Sequence, residues 1–195
     1  MNKNRLEAFS DAVIAILITI MILEFKIPKG ETYKTLIPVI PKFLSYVLSF
    51  IYLGIYWSNH HHLMHTIKKV TGKIMWANLY LLFWLSLIPF ATAWNGENQF
   101  ASFSMVVYGF ILLMNAFAYY NLQTIIIKSH GEMSLLGKAI GKDAKGKMSC
   151  ILYLIGIFLS YINPIFGGLI YILVALMWLI PDKRIEGIFE EDKID

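Results

Sequence analysis

Long apolar stretches alternate with short polar segments along almost the whole chain. The first four are long enough to cross the hydrocarbon core of a bilayer as helices, which takes about 17–25 residues. The last two are shorter, and only Asn163 and Pro164 separate them, so a hairpin of two thin spans competes with a re-entrant pair; we expect two full spans. The six stretches are 9–25, 37–57, 74–94, 103–127, 148–162 and 165–180.

Composition supports a membrane protein. The chain has 195 residues, of which 57% are hydrophobic and 15% are charged, whereas about a quarter of a soluble domain is charged. No repeat or linker indicates a second domain, so we expect residues 1–195 to form one all-α domain of six transmembrane helices. The first stretch is not expected to be a signal peptide, because Asp11 lies near its start and no small-residue cleavage site follows it.

The distribution of basic residues predicts the orientation. Thirteen of the 17 Lys and Arg residues lie in the N-terminal segment, the second loop, the fourth loop and the tail, and the other four all lie between the first two spans. Because Lys and Arg stay on the cytoplasmic side, we expect both termini to be cytoplasmic. The basic fourth loop is expected to contact anionic membrane lipid. No basic patch interleaved with aromatic residues indicates a nucleic-acid partner.

Two polar clusters lie at the predicted cytoplasmic level of the membrane. An ionisable side chain at membrane depth is costly, so by default it marks a functional site with a partner. We expect hydrogen bonds between the clusters to tie the first two helices together, and Asn78, early in the third span, is a further candidate member. The side chains expected to make these bonds are Ser10, Asp11, His60 and His61.

Each cluster also has a simpler interpretation. Ser10 and Asp11 are typical N-cap residues, which accept hydrogen bonds from the first free amides of a helix. Arg5 is also explained as an interfacial anchor whose stem lies along apolar surface. His61 and His65 are four residues apart, as zinc ligands on one helix face are, but no carboxylate or cysteine stands near them in the sequence, so we expect no metal site.

Motifs for catalysis are missing from the sequence. It contains no Gly-rich phosphate loop, no nucleophile elbow, no HExxH motif and no TVGYG-type filter. We therefore expect no catalytic residues, no cofactor and no enzyme activity. Polar residues in the fourth span are expected to join helices to one another; they are Asn115, Asn121 and Gln123.

One face of the first span has a regular composition. Ile16, Ile20 and Leu23 are spaced i, i+4 and i+7 and share that face, and Thr19 borders it. An ordinary lipid-facing or core helix shows the same pattern. If several copies met on a symmetry axis, the face would form stacked hydrophobic rings, and such constrictions gate by dewetting. Because one copy cannot enclose a pore, this interpretation requires a symmetric oligomer.

Two motifs indicate a family. They are R-x-x-x-F-S-D over residues 5–11 and W-x-x-H-H over residues 57–61. With the six-span layout, which covers nearly the whole chain, they resemble the transmembrane protein 175 family of endosomal and lysosomal potassium channels, and more closely its prokaryotic single-repeat relatives.

The resemblance implies a cation channel in a prokaryotic plasma membrane. The chain would assemble as a homotetramer, with the first helix of each copy lining a central pore for K⁺. By the same resemblance, Ile16 would form the narrowest hydrophobic ring, Ile20 and Leu23 would continue the lining outward, and Thr19 would offer a polar contact. A structural network would hold the pore helix and would comprise Arg5, Phe9, Ser10, Asp11, Trp57, His60 and His61.

A hydrophobic ring offers an ion few ligands. We therefore expect passive conduction in which selectivity for K⁺ over Na⁺ is modest and comes from the lower dehydration cost of K⁺. Two other functions remain open. A proton-coupled transporter would use Asp11 with His60 and His61 as a relay. A membrane-embedded metal enzyme would use His60, His61 and His65.

Overall fold

The structure, a computed structural model, describes residues 2–131, 136 and 143–179, and these residues form helices joined by short connections. Most of the basic fourth loop and the tail after Leu179 lie outside the described residues, so the expected lipid contact of that loop stays a prediction. The helices are α1 (Lys3–Leu23), a 3₁₀ helix (Tyr33–Val39), α2 (Ile40–His65), α3 (Gly72–Ser86), α4 (Ile88–Glu97), α5 (Ser102–His130), α6 (Ala144–Ile162) and α7 (Pro164–Leu179).

The predicted apolar spans lie along these helices. Five helical segments are long and apolar enough to cross a membrane by length and composition. The sixth, α7, has 16 residues, which is about 24 Å of helix against about 30 Å of hydrocarbon, so its full crossing stays a prediction. The five long segments are Lys3–Leu23, Tyr33–His65, Gly72–Glu97, Ser102–His130 and Ala144–Ile162.

The first helix begins earlier than its apolar stretch. Its N-cap is Asn2, whose side chain accepts a hydrogen bond from the amide of Asn4. The interpretation of Ser10 and Asp11 as N-cap residues is therefore wrong, since both lie about two turns inside α1. The physical reason is that residues 3–9 contain no Gly or Pro and include good helix formers. The helix therefore extends from the apolar stretch back to Lys3.

The third predicted span consists of two helices. α3 ends at Ser86, and α4 begins at Ile88 with Pro89 in its first turn. Proline has no backbone N–H and its ring clashes with the preceding turn, so the helix breaks there. Both halves still run through the bundle, because Leu85 and Ile88 on the two sides of the break are fully buried.

The centre of the bundle is formed by α3, α4 and α5. α5 packs against α3, α4 and α6, while α1 lies against α2, α3 and α4. In the most apolar 18-residue stretch of each segment, 50% of the residues are buried in α3–α4 and in α5. The buried share is 28% in α1 and 22% in α2 and in α6. The outer helices therefore keep broad apolar faces that the described residues do not cover.

The last two helices form a tight hairpin. Asn163 is extended, as a residue before proline prefers, and its side-chain oxygen accepts from the amide of Ile165 at 3.0 Å. Close approach of the two helices requires Gly167, because a Cβ at this position would meet the Oγ of Ser160 and lie 2.7 Å from the carbonyl oxygen of Gly156.

Replacement of Gly167 by alanine should destabilise the hairpin. The added methyl has no space between α6 and α7, and overpacking of this kind costs about 1–3 kcal/mol. Gly54→Ala is the matched control, since no atom lies within 4 Å of the added carbon there. Thermal unfolding in detergent should show a lower Tm for Gly167→Ala and an equal or higher one for Gly54→Ala. Equal Tm values for wild type and Gly167→Ala would contradict the packing.

Candidate functional site

The apolar face predicted in the first helix points away from the rest of the chain. Ile16 is 55% exposed, Ile20 40% and Leu23 79%, and Thr19 is exposed beside them. The opposite face of α1 packs into the bundle through Leu6, Ser10, Ile14, Leu17 and Met21. The helix is thus fixed in rotation, with an isoleucine-rich surface free to meet lipid or another copy.

The hydroxyl of Thr19 is oriented by its own helix. Its Oγ1 lies 2.9 Å from the carbonyl oxygen of Ile16 and 3.1 Å from that of Ala15, so it donates its proton to the backbone. A hydroxyl has one proton and two lone pairs. The oxygen is therefore left as an acceptor on the exposed face.

A buried chain of hydrogen bonds joins three helices. The amide nitrogen of Asn78 in α3 donates to Oγ of Ser10 in α1 at 2.8 Å, and the amide oxygen lies 2.7 Å from Nε2 of His60 in α2. Because the nitrogen of Asn78 is used toward Ser10, its oxygen accepts from Nε2–H of His60. All three side chains are fully buried. Ser10 in turn donates to the carbonyl oxygen of Leu6 at 2.9 Å.

The link between the two polar clusters is therefore indirect. The expectation of a direct bond from Ser10 or Asp11 to His60 or His61 is wrong. A primary amide both donates and accepts, so Asn78 fills the space between a hydroxyl and an imidazole that do not reach each other.

Two atoms of this region have no hydrogen-bond partner within the described residues. They are Oδ1 of Asp11 and Nδ1 of His60, and both atoms are buried. Asp11 itself is half-buried on the α1 surface. A buried carboxylate oxygen without a partner is costly in a medium of low dielectric.

A second cluster contains a residue that sequence reasoning missed. Oε1 of Glu7 in α1 lies 3.0 Å from Nδ1 of His61 and 3.6 Å from Nε2 of His65. No carboxylate stands near these histidines in the sequence, but Glu7 reaches them from a different helix. The only signal in the sequence was its place two turns before the apolar face, inside the R-x-x-x-F-S-D motif.

Three of the motif residues are exposed and take no part in the buried chain. Phe9 is 50% exposed and Trp57 48%, and Arg5 is exposed with no hydrogen bond or ion pair to the described residues. Arg5 and Phe9 precede Ile16 by eleven and seven residues, so about three and two helical turns place them on the same exposed side. Trp57 stacks on the ring of His61 with centroids 6.4 Å apart.

A further buried polar cluster was not anticipated. Oγ1 of Thr92 in α4 donates to Oγ of Ser49 in α2 at 2.6 Å, and Ser49 also bonds the hydroxyl of Tyr108 in α5 at 2.9 Å. The expectation that Asn115 joins helices is confirmed separately, since Asn115 in α5 donates to the carbonyl oxygen of Trp84 in α3 at 3.2 Å. Small polar side chains commonly join membrane helices in this way.

Removal of the Asn78 amide should loosen the attachment of α1. Asn78→Leu keeps the volume but leaves Nε2 of His60 buried without an acceptor, at a cost of about 1–3 kcal/mol. Asn98→Leu is the control, since Asn98 is exposed and its side chain bonds only the carbonyl of Trp94 in its own helix. Tm in detergent should fall for Asn78→Leu alone. A wild-type Tm for Asn78→Leu would show that the hydrogen-bond chain does not hold α1 in place.

Comparison with known proteins shows which family the chain resembles. The family model described as the endosomal/lysosomal potassium channel TMEM175 matches residues 5–89. A potassium channel from Chryseobacterium sp. (strain P1-3) is 54% identical over 192 residues, which are 98% of this chain and 100% of the relative. A potassium channel from Streptomyces collinus is 34% identical over 61% of this chain and 62% of its own length.

A solved structure and an animal relative extend the comparison. The crystal structure of a lysosomal potassium-selective channel TMEM175 homolog from Chamaesiphon minutus superposes with a TM-score of 0.78 at 26% identity, over 92% of this chain and 97% of that chain. The human endosomal/lysosomal proton channel TMEM175 is 32% identical over 47% of this chain but only 20% of its own length. The resemblance found in the two motifs is confirmed: the chain belongs to the TMEM175 family, whose members are multi-pass membrane ion channels and not enzymes.

Proposed function

We propose that the chain is a K⁺-permeable cation channel whose pore is lined by α1 from four copies around a symmetry axis. The observation that supports this most is the exposed face of Ile16, Ile20 and Leu23, on a helix whose opposite face is anchored in the bundle. The location proposed is the plasma membrane of a prokaryote. The other partners are membrane lipids and K⁺, and no cofactor takes part in conduction.

Potassium as the permeant ion is supported by the relatives. The Chryseobacterium and Streptomyces proteins bear the name potassium channel, and the Chamaesiphon homologue is described as potassium-selective. The Chryseobacterium relative aligns over its full length, so its correspondence includes the proposed pore helix.

Assembly into a homotetramer is supported by the exposed apolar face of α1 in a single chain. A single copy presents α1 as an open surface and cannot enclose an ion path. Closed cyclic symmetry covers such a surface by bringing the same face of each copy to one axis. The half-buried Asp11, with one carboxylate oxygen unpaired in the single chain, lies on the same helix and gains neighbours in an assembly.

The proposed constriction acts through dewetting. A ring of four Ile16 side chains offers an ion no ligand, so a hydrated ion sheds water to pass, and this costs less for K⁺ than for Na⁺. Thr19 follows within one turn, and its oxygen lone pairs face outward from the helix because its proton is held by the backbone. We expect modest K⁺ selectivity and a gate that closes when the ring is dry.

The buried hydrogen-bond chain has a structural role in this proposal. Asn78 holds Ser10 against α3, and His60 holds the same amide from α2, so α1 cannot rotate about its axis without breaking a buried bond. Ile16 lies six residues beyond Ser10 on the same continuous helix. The direction in which Ile16 points is thereby fixed.

Proton transport is a second candidate, favoured by the name of the animal relatives, which are proton channels. A relay from Asp11 to His60 finds weaker support in this chain. Asp11 does not bond His60, and Asn78 between Ser10 and His60 is an amide that does not titrate. A proton-coupled transporter would show saturable flux that depends on pH.

Flux from liposomes tests the proposal. The purified protein is reconstituted alone, and K⁺ and then Na⁺ gradients are applied to wild type and Ile16→Asn. We expect K⁺ flux to exceed Na⁺ flux in wild type, because of the dehydration cost. Ile16→Asn should conduct more and discriminate less, since a polar side chain keeps the ring wet.

The matched control for this test is Ile22→Asn. Ile22 is 46% exposed on the same helix, but its position six residues after Ile16 directs it to another side. Its flux and ion preference should stay close to wild type. Wild-type flux and ion preference in Ile16→Asn would exclude Ile16 from the constriction, and strict K⁺ selectivity in the wild type would contradict a mechanism based on dehydration.

A further inference from the structure

The side chains of Glu7, His61 and His65 converge at the end of the bundle where α1 begins and α2 ends. The imidazoles of His61 and His65 lie one turn apart on α2, with ring centroids 4.5 Å apart. Glu7 enters from α1 and directs one oxygen at both rings. The three candidate ligand atoms all lie within 4.8 Å of one another.

We propose that Glu7, His61 and His65 form a binding site for a divalent transition-metal cation, with Zn²⁺ as the probe, that bridges α1 and α2. Two imidazole nitrogens and one carboxylate oxygen are the donor set of open, three-ligand zinc sites, and the same set suits Co²⁺ and Ni²⁺. Water completes the coordination at the fourth position. The proposal replaces the expectation from the sequence that the chain holds no metal.

The spacing of the ligand atoms fits this assignment. In a tetrahedral zinc centre with bonds of about 2.0–2.2 Å, neighbouring ligand atoms lie about 3.4 Å apart. The distances from Oε1 of Glu7 are 3.0 Å to Nδ1 of His61 and 3.6 Å to Nε2 of His65, on either side of that value. All three ligand atoms lie within 4.8 Å of one another.

The surroundings admit an ion and hold the ligands. The side chains of His61 and His65 are each 44% exposed, whereas that of Glu7 is 16% exposed, so the carboxylate is sheltered and the histidines face solvent. Trp57 stacks on His61 and restricts its ring. The nearby ammonium of Lys3 donates to the backbone oxygen of His65 at 2.8 Å, which directs its charge at the end of α2.

The same carboxylate oxygen also accepts a hydrogen bond when Nδ1 of His61 carries a hydrogen, so a metal ion competes with a hydrogen bond at this place. A metal site and a hydrogen bond differ in stoichiometry and in the residues they require. A metal site requires His65 as well as His61 and releases protons when it fills. A hydrogen bond between Glu7 and His61 requires neither His65 nor any ion.

Calorimetric titration of Zn²⁺ into the full-length protein tests the assignment. The protein is purified with a tag that contains no histidine and is freed of metal with a chelator. We expect one Zn²⁺ per chain, with affinity at least tenfold weaker in Glu7→Gln and in His65→Gln. Co²⁺ should give the visible absorption of a tetrahedral site in wild type and lose it in both variants.

His62→Gln is the matched control, because His62 neighbours His61, with centroids 5.8 Å apart, and lies outside the trio. Its Zn²⁺ affinity should equal that of wild type. Glu7→Gln keeps the shape of the side chain, and His65→Gln lies at the exposed end of α2, so each variant is tested as folded protein by its elution and helical circular dichroism.

A second readout tests the bridge between helices. Zn²⁺ should raise the Tm of wild type and leave that of His65→Gln unchanged, since a ligand that binds only the folded state stabilises it. Absence of stoichiometric binding in folded wild type overturns the proposal. Wild-type affinity in Glu7→Gln, or loss of binding in His62→Gln in place of His65→Gln, also overturns it. None of these readouts depends on ion flux, so they stand apart from the proposed channel function.

Discussion

The hydrogen-bond chain through Asn78 is the constraint on which the rest of this structure depends. Inside a bilayer a polar side chain has no water to return to, so a satisfied buried amide is held strongly in place. Asn78 fixes Ser10 of α1 and His60 of α2 in a single geometry. Because α1 is otherwise covered on one side only, this polar contact determines which of its faces packs into the bundle and which stays exposed.

The buried and exposed faces of α1 do not differ in hydrophobicity. Ile14 and Ile16 are the same residue type two positions apart, yet Ile14 is fully buried and Ile16 is 55% exposed. Hydrophobicity alone does not distinguish a face for the bundle from one for lipid or for other copies. The polar residues set the rotation of the helix, and the isoleucines then provide the surface that the proposed pore uses. In the proposed channel the polar and ionisable side chains hold the helix in place, and the apolar side chains line the ion path.

Sequence reasoning reached the helices and the family, because apolar length and motif spacing are local properties, and the 3.6-residue periodicity grouped Ile16, Ile20 and Leu23 on one face without showing whether that face is buried. It failed where two distant segments meet. The start of α1 was missed because four of residues 3–9 are polar or charged, which excluded the segment from the apolar stretch although it is helical. Asn78 as the bridge to His60, and Glu7 as the neighbour of His61, depend on how three helices pack, and no spacing along the chain encodes that packing. The break at Pro89 was readable in principle, since proline inside an apolar stretch interrupts a helix.

The central claim is that the exposed face of α1 meets copies of itself on an axis. Electron cryo-microscopy of the purified protein in lipid nanodiscs tests it most directly, because the symmetry and the position of α1 are seen in one map. We expect a fourfold particle with four α1 helices at the centre and Ile16 at the narrowest point of the axis. A monomer, or an assembly whose α1 helices face the lipid, would contradict it.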